Sequence, residues 1–417
     1  MPDNSDNSEN SGKLPLPLEG IRVLDVTHIV AGPFCSVVLA DMGAEVIKVE
    51  RPVTGERGRA NGPFVEGPDG ARSSARFLGI NRNKKSISLD LRDPRCKAAL
   101  LNMVRVSDVL LDNFGPGALE RLGLGYQELK QVNPGIIYAS ITGYGDSDGL
   151  RGPYSDWPAN NPSVQAMGGW MEVTGDPNGA PQMVGDNLGD SVPGVWAALG
   201  VVLALETRRK TGQGQHVDMA MYDCMAAHTT SSMPYYQAVG ENTGRARENM
   251  ISAQITLKAS DGYVVLAGAG AEEKWVALWH FVGRAELAED TRYLGRGISG
   301  DFYFEQIVPA IEEWSQHLSK WEVARQLTEI GFSMGVVQNQ ADLDQCPQLT
   351  ARNMIVDAGD MLGGSFRMIR TPIQLTACVD PPAVTPPQVG EHNQEVICGL
   401  GGLTAEELAQ LQTDGVV

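Results

Sequence analysis

The sequence predicts an α/β fold: a Rossmann-like, doubly wound parallel sheet with a second, smaller α+β domain. Three observations carry this. A short apolar run, IRVLDV (21–26), is followed by a loop, a helix-like stretch and a second apolar run, EVIKVE (45–50). That order calls for parallel strands joined by a right-handed crossover. The alternation continues to about residue 224, where the character of the chain changes.

Taken in order, residues 1–13 (MPDNSDNSENSGK) are polar and acidic, and read as a disordered tail rather than a secretory signal. Thr27–Gly32 is a loop; Pro33 suits a first helical turn, a helix covers Phe34–Met42, and Gly43 ends it. SISLDL (86–91) is the next strand and Asp93–Val106 an amphipathic helix. VLLDNF (109–114) is a strand, Tyr126–Gln131 a helix and IIYASITGY (136–144) a strand. A long apolar helix spans Ser191–Arg208, and TGQG (211–214) turns into HVDMAMYD (216–223) as a further strand.

Residues 225–255 are polar and Met-rich and read as a linker. ITLKASDGYVVLAGA (255–269) is a hairpin turning on Ser260-Asp261-Gly262. Trp275–Val282 and Phe302–His317 are helical. Beyond Trp321 come a helix, a β-like GVVQNQ (335–340), a Pro-rich Pro381–Pro387 and a terminal helix over Ala405–Gln412. The expected large domain is 14–224 plus 330–417, with linker and small domain over 225–329.

With 417 residues the chain holds two or more domains, and 33 Lys and Arg against 51 Asp and Glu leave a net charge of −18. That argues against nucleic acid or an anionic membrane surface as a partner, because both demand an electropositive footprint. Between Lys48 and Arg105, however, 13 basic residues meet 6 acidic ones, a local +7. That stretch is either a solvated face or a site for a small polyanion. The six cysteines form no CxxC and no regular spacing, so neither zinc nor a disulfide framework is expected, and the compartment reads as cytoplasmic. No apolar run reaches about 18 residues, the length of a membrane span.

Three segments can carry chemistry. The first strand-to-helix turn, Thr27 to Pro33, lies where open α/β sheets bind ligands. It lacks GxGxxG, but it sets His28 and several backbone N–H groups at a helix N-terminus, a natural anion site. NFGPGALERLG (113–123) is a second such turn, with Arg121 about one turn into the next helix. The third is GDNLGDSVPG (185–194), where Asp190 stands at the start of the long apolar helix. Asp190 is either an N-cap or a nucleophile; a carboxylate is already ionised at neutral pH, and a helix N-terminus keeps it so. Asp186 is its rival. GxSxG, HExxH and P-loop motifs are absent.

Taken together, GIRVLDVTHIVAGP (20–33), GAEVIKVERP (43–52), NRNKKSISLDLR (81–92), NFGPGALERLG (113–123), GDSVPG (189–194), RRKTGQGQHVDMAMYD (208–223) and VGEHNQEVICGLG (389–401) resemble the class III CoA-transferases, in the family's order. The resemblance implies a CoA-transferase that moves CoA from an acyl-CoA to a carboxylic acid. Asp190 would be the acyl acceptor, passing through a mixed anhydride and an aspartyl-CoA thioester. Coenzyme A would enter as part of the substrate, with no tightly bound cofactor and no metal.

By the same resemblance CoA would contact His28, Ile29, Val30, Ala31, Arg51, Leu89, Arg92, Asn113, Phe114, Gly115, Arg121 and Leu122, and the protein would form an interlocked homodimer. Two departures matter. Val30 stands where formyl-CoA transferases carry Gln, which with the apolar GGWMEV (168–173) points to an acyl group larger than formyl, a short dicarboxylate such as succinate or an aromatic acid. Asn160 and Asn161 stand where relatives carry an acid or, in the related α-methylacyl-CoA racemases, a catalytic His. A racemase or epimerase, and a non-catalytic CoA-binding subunit, are the alternative functions. The glycine-rich loop that covers the site in formyl-CoA transferase has only a poor counterpart in GAGAE (268–272).

Overall fold

The computed structural model describes residues 14–66, 72–147, 149–245, 254–267, 271–294, 300–360, 365–379 and 383–417. The expected tail (1–13), part of the expected linker (246–253), most of the glycine-rich GAGAE segment (268–270) and the start of the Pro-rich segment (381–382) lie outside them.

Among these residues the chain forms two compact units, one of 1–171, 182–230 and 348–417, the other of 172–181 and 231–347. The first is built on a sheet whose strands run β1 (Arg22–Asp25), β2 (Glu45–Glu50), β5 (Lys84–Ser88), β6 (Val109–Asp112), β7 (Ile137–Thr142) and β8 (His216–Ala220). A short antiparallel hairpin, β3 (Phe64–Glu66) and β4 (Arg72–Ser74), is inserted between β2 and β5. The sheet order is β5-β2-β1-β6-β7-β8 and every pairing in it is parallel. The chain starts in the middle, winds outward to β5, then returns to wind the other way. The order reverses between β1 and β6, so the loops leaving those two strands part and open a crevice at the carboxyl edge. β1, β2, β6 and β7 are buried on both faces, which is why they read as largely apolar runs, whereas the edge strand β8 is only partly buried.

The helices of this unit include α1 (Ala31–Asp41), α2 (Ala75–Ile80), α3 (Pro94–Arg105), α4 (Tyr126–Val132), α5 (Asn161–Met167), α6 (Leu188–Thr211) and α7 (Met221–Ala227), and the expected terminal helix spans Ala405–Thr413. α1 begins two residues before Pro33, its first bond running from Phe34 N–H to the Val30 carbonyl at 2.7 Å. A proline costs a first turn nothing, because that N–H has no helical acceptor anyway. β8 ends at Ala220 rather than Asp223, because Met221, Cys224 and Met225 bury themselves at helical spacing and make α7. The expected linker likewise holds helix over Ser232–Val239. In the second unit a two-residue turn at Ser260-Asp261 joins β9 (Gln254–Ala259) to β10 (Gly262–Ala267), and β11 (Ser333–Val336) pairs with β10. That pairing carries the second unit to Pro347, past the expected boundary at 330.

α6, with 24 residues, is long and apolar by length and composition, although its uncharged run stops at Glu206, short of a membrane span. One side packs on α1 so closely that a Cβ on Gly194 would lie 2.8 Å from the Ala31 carbonyl oxygen. The opposite side exposes Val195, Trp196, Leu199, Val202 and Leu203.

The carboxyl end of β1 is tied to its neighbours by charge. Asp25 is fully buried. It accepts from the Thr27 N–H (2.9 Å) and hydroxyl and from the Ser36 hydroxyl (2.6 Å), and pairs with Lys84 on β5 at 3.3 Å and Lys48 on β2 at 3.8 Å. Burial alone would raise the Asp25 carboxyl; the two ammoniums and two hydroxyls more than reverse it and hold the group far below the usual carboxylate range. Burial also pulls Lys84 down, to about 8, despite Asp25. Lys48 donates in turn to the Thr27 carbonyl (3.0 Å) and Lys84 to that of Pro33 (3.1 Å).

Asp25→Asn keeps the shape but removes the carboxylate that both buried lysines pair with. It is expected to destabilise the first unit by about 3–5 kcal/mol in urea unfolding; a loss below about 1 kcal/mol would mean that the lysines do not depend on Asp25.

Candidate active site

At the carboxyl edge, β1 runs into Val26–Val30 and β6 into Asn113–Gly117. The Asn113 amide stitches the two loops across the crevice: its Oδ1 accepts from the His28 N–H at 2.9 Å and its Nδ2 donates to the His28 carbonyl at 2.8 Å. Beneath it, Asp112 accepts from the Phe114 N–H (2.7 Å) and the Tyr138 hydroxyl (2.8 Å), and burial pushes its carboxyl up to about 6. The Phe114 ring then meets His28 at 4.9 Å.

Ile29 has φ +68°, unfavourable for a β-branched residue and the kind of strain that collects at functional sites. Its N–H is held by Glu56 at 3.0 Å, and Glu56 caps the next turn through Gly58 N–H at 2.7 Å. Val30 is the N-cap of α1 without a side-chain cap, so the first-turn N–H groups of Ala31 and Gly32 are left to whatever binds there. Burial first, then Arg57, Lys48 and Arg51, pull the His28 imidazole down to about 4, so its ring is neutral; its Nδ1 is buried without a hydrogen bond.

Along the same edge a cavity of about 640 Å³ is lined by Arg51, Leu89, Arg92, Phe114, Arg121 and Leu122, together with Val26, Val49, Glu50, Pro52 and Gly415. Six of the twelve expected CoA contacts therefore share one cavity. Its three arginines come from the ends of β2 and β5 and the turn after β6. Arg92 is exposed and paired with Asp90 at 2.7 Å. The other six, His28, Ile29, Val30, Ala31, Asn113 and Gly115, form the two stitched loops beside it.

The basic stretch divides between the interior, the cavity and an exposed face that includes Arg57, Arg72, Arg76, Arg95 and Arg105. Lys48, Arg82 and Lys84 are buried, and Arg82 pairs with Asp41 at 2.5 Å. Arg59 pairs with Glu50 at 2.7 Å and lies over the Phe77 ring. Part of the local charge is thus spent inside the protein, and Arg51 and Arg92 stand at the cavity.

Asp190 is the third residue of α6, one turn before Gly194, the residue that meets the start of α1; the cap is Asn187. The N-cap alternative for Asp190 is thus set aside. Asp186, with φ +56°, lies in the turn that leads into the helix. Burial pushes the Asp190 carboxyl up to about 6, and the helix N-terminus works against that rise. Asn160 is the N-cap of α5 in a reciprocal capping box with Ser163. Asn161, one residue on, accepts from the Gly189 N–H at 2.7 Å. Sequence reasoning missed Asp25, Lys48 and Lys84, Glu56 and the fully buried Gln165. For Asp25 and Lys48 the sequence signal was charge inside runs otherwise apolar enough to be strands; Lys84, Glu56 and Gln165 carried no such signal.

The family model for CoA-transferase family III matches residues 18–393. The chain is 35% identical to the succinyl-CoA–D-citramalate CoA-transferase of Chloroflexus aurantiacus, over 98% of this chain and 100% of that one. It is also 35% identical to the formyl-CoA:oxalate CoA-transferase of Streptomyces avermitilis, over 96% and 99%. Among solved structures it is similar to a CAIB/BAIF family protein from Brucella suis, with TM-score 0.83 and 33% identity over 93% of this chain and 100% of that one. The chain belongs to CoA-transferase family III, and it is a CoA-transferase.

Proposed function

We propose that the protein moves CoA from an acyl-CoA to a carboxylic acid through Asp190, with the adenosine end of CoA in the arginine-lined cavity. The observation that supports this is the contact between the starts of α6 and α1 at Gly194 and Ala31, with Asp190 in the first turn of α6. Asp190 attacks the thioester carbonyl, the C–S bond breaks, and CoA thiolate leaves an acyl-aspartyl anhydride. The thiolate attacks the aspartyl carbonyl and expels the acyl group as its carboxylate, leaving aspartyl-CoA. The acceptor carboxylate then attacks that thioester and releases thiolate, which attacks the acceptor's acyl carbon to give the new acyl-CoA and free Asp190. Every nucleophile is an anion, so no general base is required; the demands are exclusion of water and a held thiolate.

The donor and acceptor acids are of the short dicarboxylate class, a reading supported by Val30 and by the succinyl-CoA and citramalate in one relative's name. The oxalate of the other, equally similar relative fits less well, because Val30 offers no hydrogen bond to a small polar acyl group. The active form is an interlocked homodimer, for which the apolar outer face of α6, exposed in the single chain, is the support; sedimentation is expected to give a two-chain species.

Asp190→Asn is expected to lower kcat at least about 10³-fold while acyl-CoA still binds; a variant with near-normal turnover would exclude the pathway. Because the carboxylate is the attacking form and burial raises its pKa to about 6, kcat/KM is expected to fall below an acid limb near pH 6. Arg121→Ala or Arg92→Ala is expected to raise KM for acyl-CoA about tenfold with little change in kcat, as loss of a phosphate contact would.

A further inference from the structure

The start of α6 is not capped by its own N-cap residue. Asn187 makes no side-chain cap hydrogen bond. The acceptor comes from α5: Asn161 Oδ1 takes the Gly189 N–H at 2.7 Å, while Asn161 Nδ2 donates to the Asp186 carbonyl at 3.1 Å. One amide thus holds the residue bonded to Asp190 and the turn leading into it.

Gln165, fully buried one turn along α5, donates to the same Oδ1 at 2.8 Å and is fixed to Val184 by bonds at 3.0 and 3.3 Å. The contact leaves no slack, since a Cβ on Gly189 would lie 2.6 Å from the Asn161 carbonyl oxygen. The arrangement needs a side chain that both accepts and donates, and aspartate at 161 could not donate to Asp186.

We infer that Asn161 is the positioning residue of Asp190: it orients the first turn of α6 with an acceptor that carries no charge. This rests on the reading of Asp190 as nucleophile. The neutral cap matters because a second anion one residue away would oppose ionisation of the attacking carboxylate. The titratable groups on the elements packed about α6 include Asp186, His28, Cys35, Asp41, Tyr138, His216, Asp218, Tyr222, Asp223 and Cys224, with His228 bonded to Trp196 and Asp108 paired with Arg208. None of them contributes to the shift at Asp190, which comes from burial alone.

The test compares Asn161→Asp and Asn161→Ala with the parent enzyme, using one acyl-CoA donor, with circular dichroism melting as the fold control. Asn161→Asp is isosteric and keeps the acceptor. Its acid limb is expected to move up by about one pH unit, with activity recovering at high pH. The ionisations of CoA itself cannot produce that shift, because the substrate is the same. Asn161→Ala is expected to lose about tenfold or more in kcat at every pH, with KM for acyl-CoA within about twofold. Coincident pH profiles for parent and Asn161→Asp, or an Asn161→Ala enzyme with parental kcat, would overturn the inference. Asp190→Asn separates the two levels: if it stays active, the nucleophile assignment fails, whereas unaltered Asn161 variants beside an inactive Asp190→Asn reject the positioning role alone.

Discussion

The site hangs on one buried carboxylate. Asp25 ends the first strand of the sheet, at the point where the strand order reverses, and there it gathers two lysines from β2 and β5, two hydroxyls and a backbone N–H. Taking three charges out of water is costly, and only mutual pairing with filled hydrogen-bond valences makes it tolerable. Because Lys48 and Lys84 also donate to the carbonyls of Thr27 and Pro33, the cluster fixes both ends of the turn that carries His28, Ile29 and Val30. The strained φ of Ile29 persists because the turn is held at both ends and by Glu56 and Asn113 between them.

From that fixed turn, packing sets up the chemistry. α1 begins where the turn ends, and α6 lies against it at a distance that only glycine at 194 allows. Glycine at 189 lets α5 approach α6 from the other side. The two glycines of the GDSVPG segment are thus the contacts by which the starts of α5 and α1 meet α6 on either side of Asp190 in sequence. The spacing of that motif is a packing requirement before it is a catalytic one.

How much of this was legible depended on whether the information was local. The central strands of the first sheet were readable because both faces are buried and each is a short, largely apolar run; the end of β8 was misjudged where an apolar run continued into a helix, at Met221. Asp190 could be singled out by its glycine context, but its place as third residue of α6 could not, because the true cap, Asn187, makes no side-chain bond that a sequence pattern would record. The +7 stretch was counted correctly and explained incompletely. Lys48 and Lys84 sit in strands, where alternation places a side chain on one face or the other, yet what they meet there is Asp25, 23 and 59 residues away in sequence. Long-range pairing of that kind leaves no periodic trace. Asn161 marks the same boundary, since its partner Gly189 lies 28 residues on.

The mechanism turns on Asp190 becoming covalently acylated and then carrying CoA. Incubation with an acyl-CoA in the absence of acceptor acid, quenching with hydroxylamine or borohydride, and peptide mass spectrometry would read that adduct itself. The modification is expected on the peptide that contains Asp190, with none in Asp190→Asn. A modification on another residue, or the same adduct in Asp190→Asn, would contradict the mechanism.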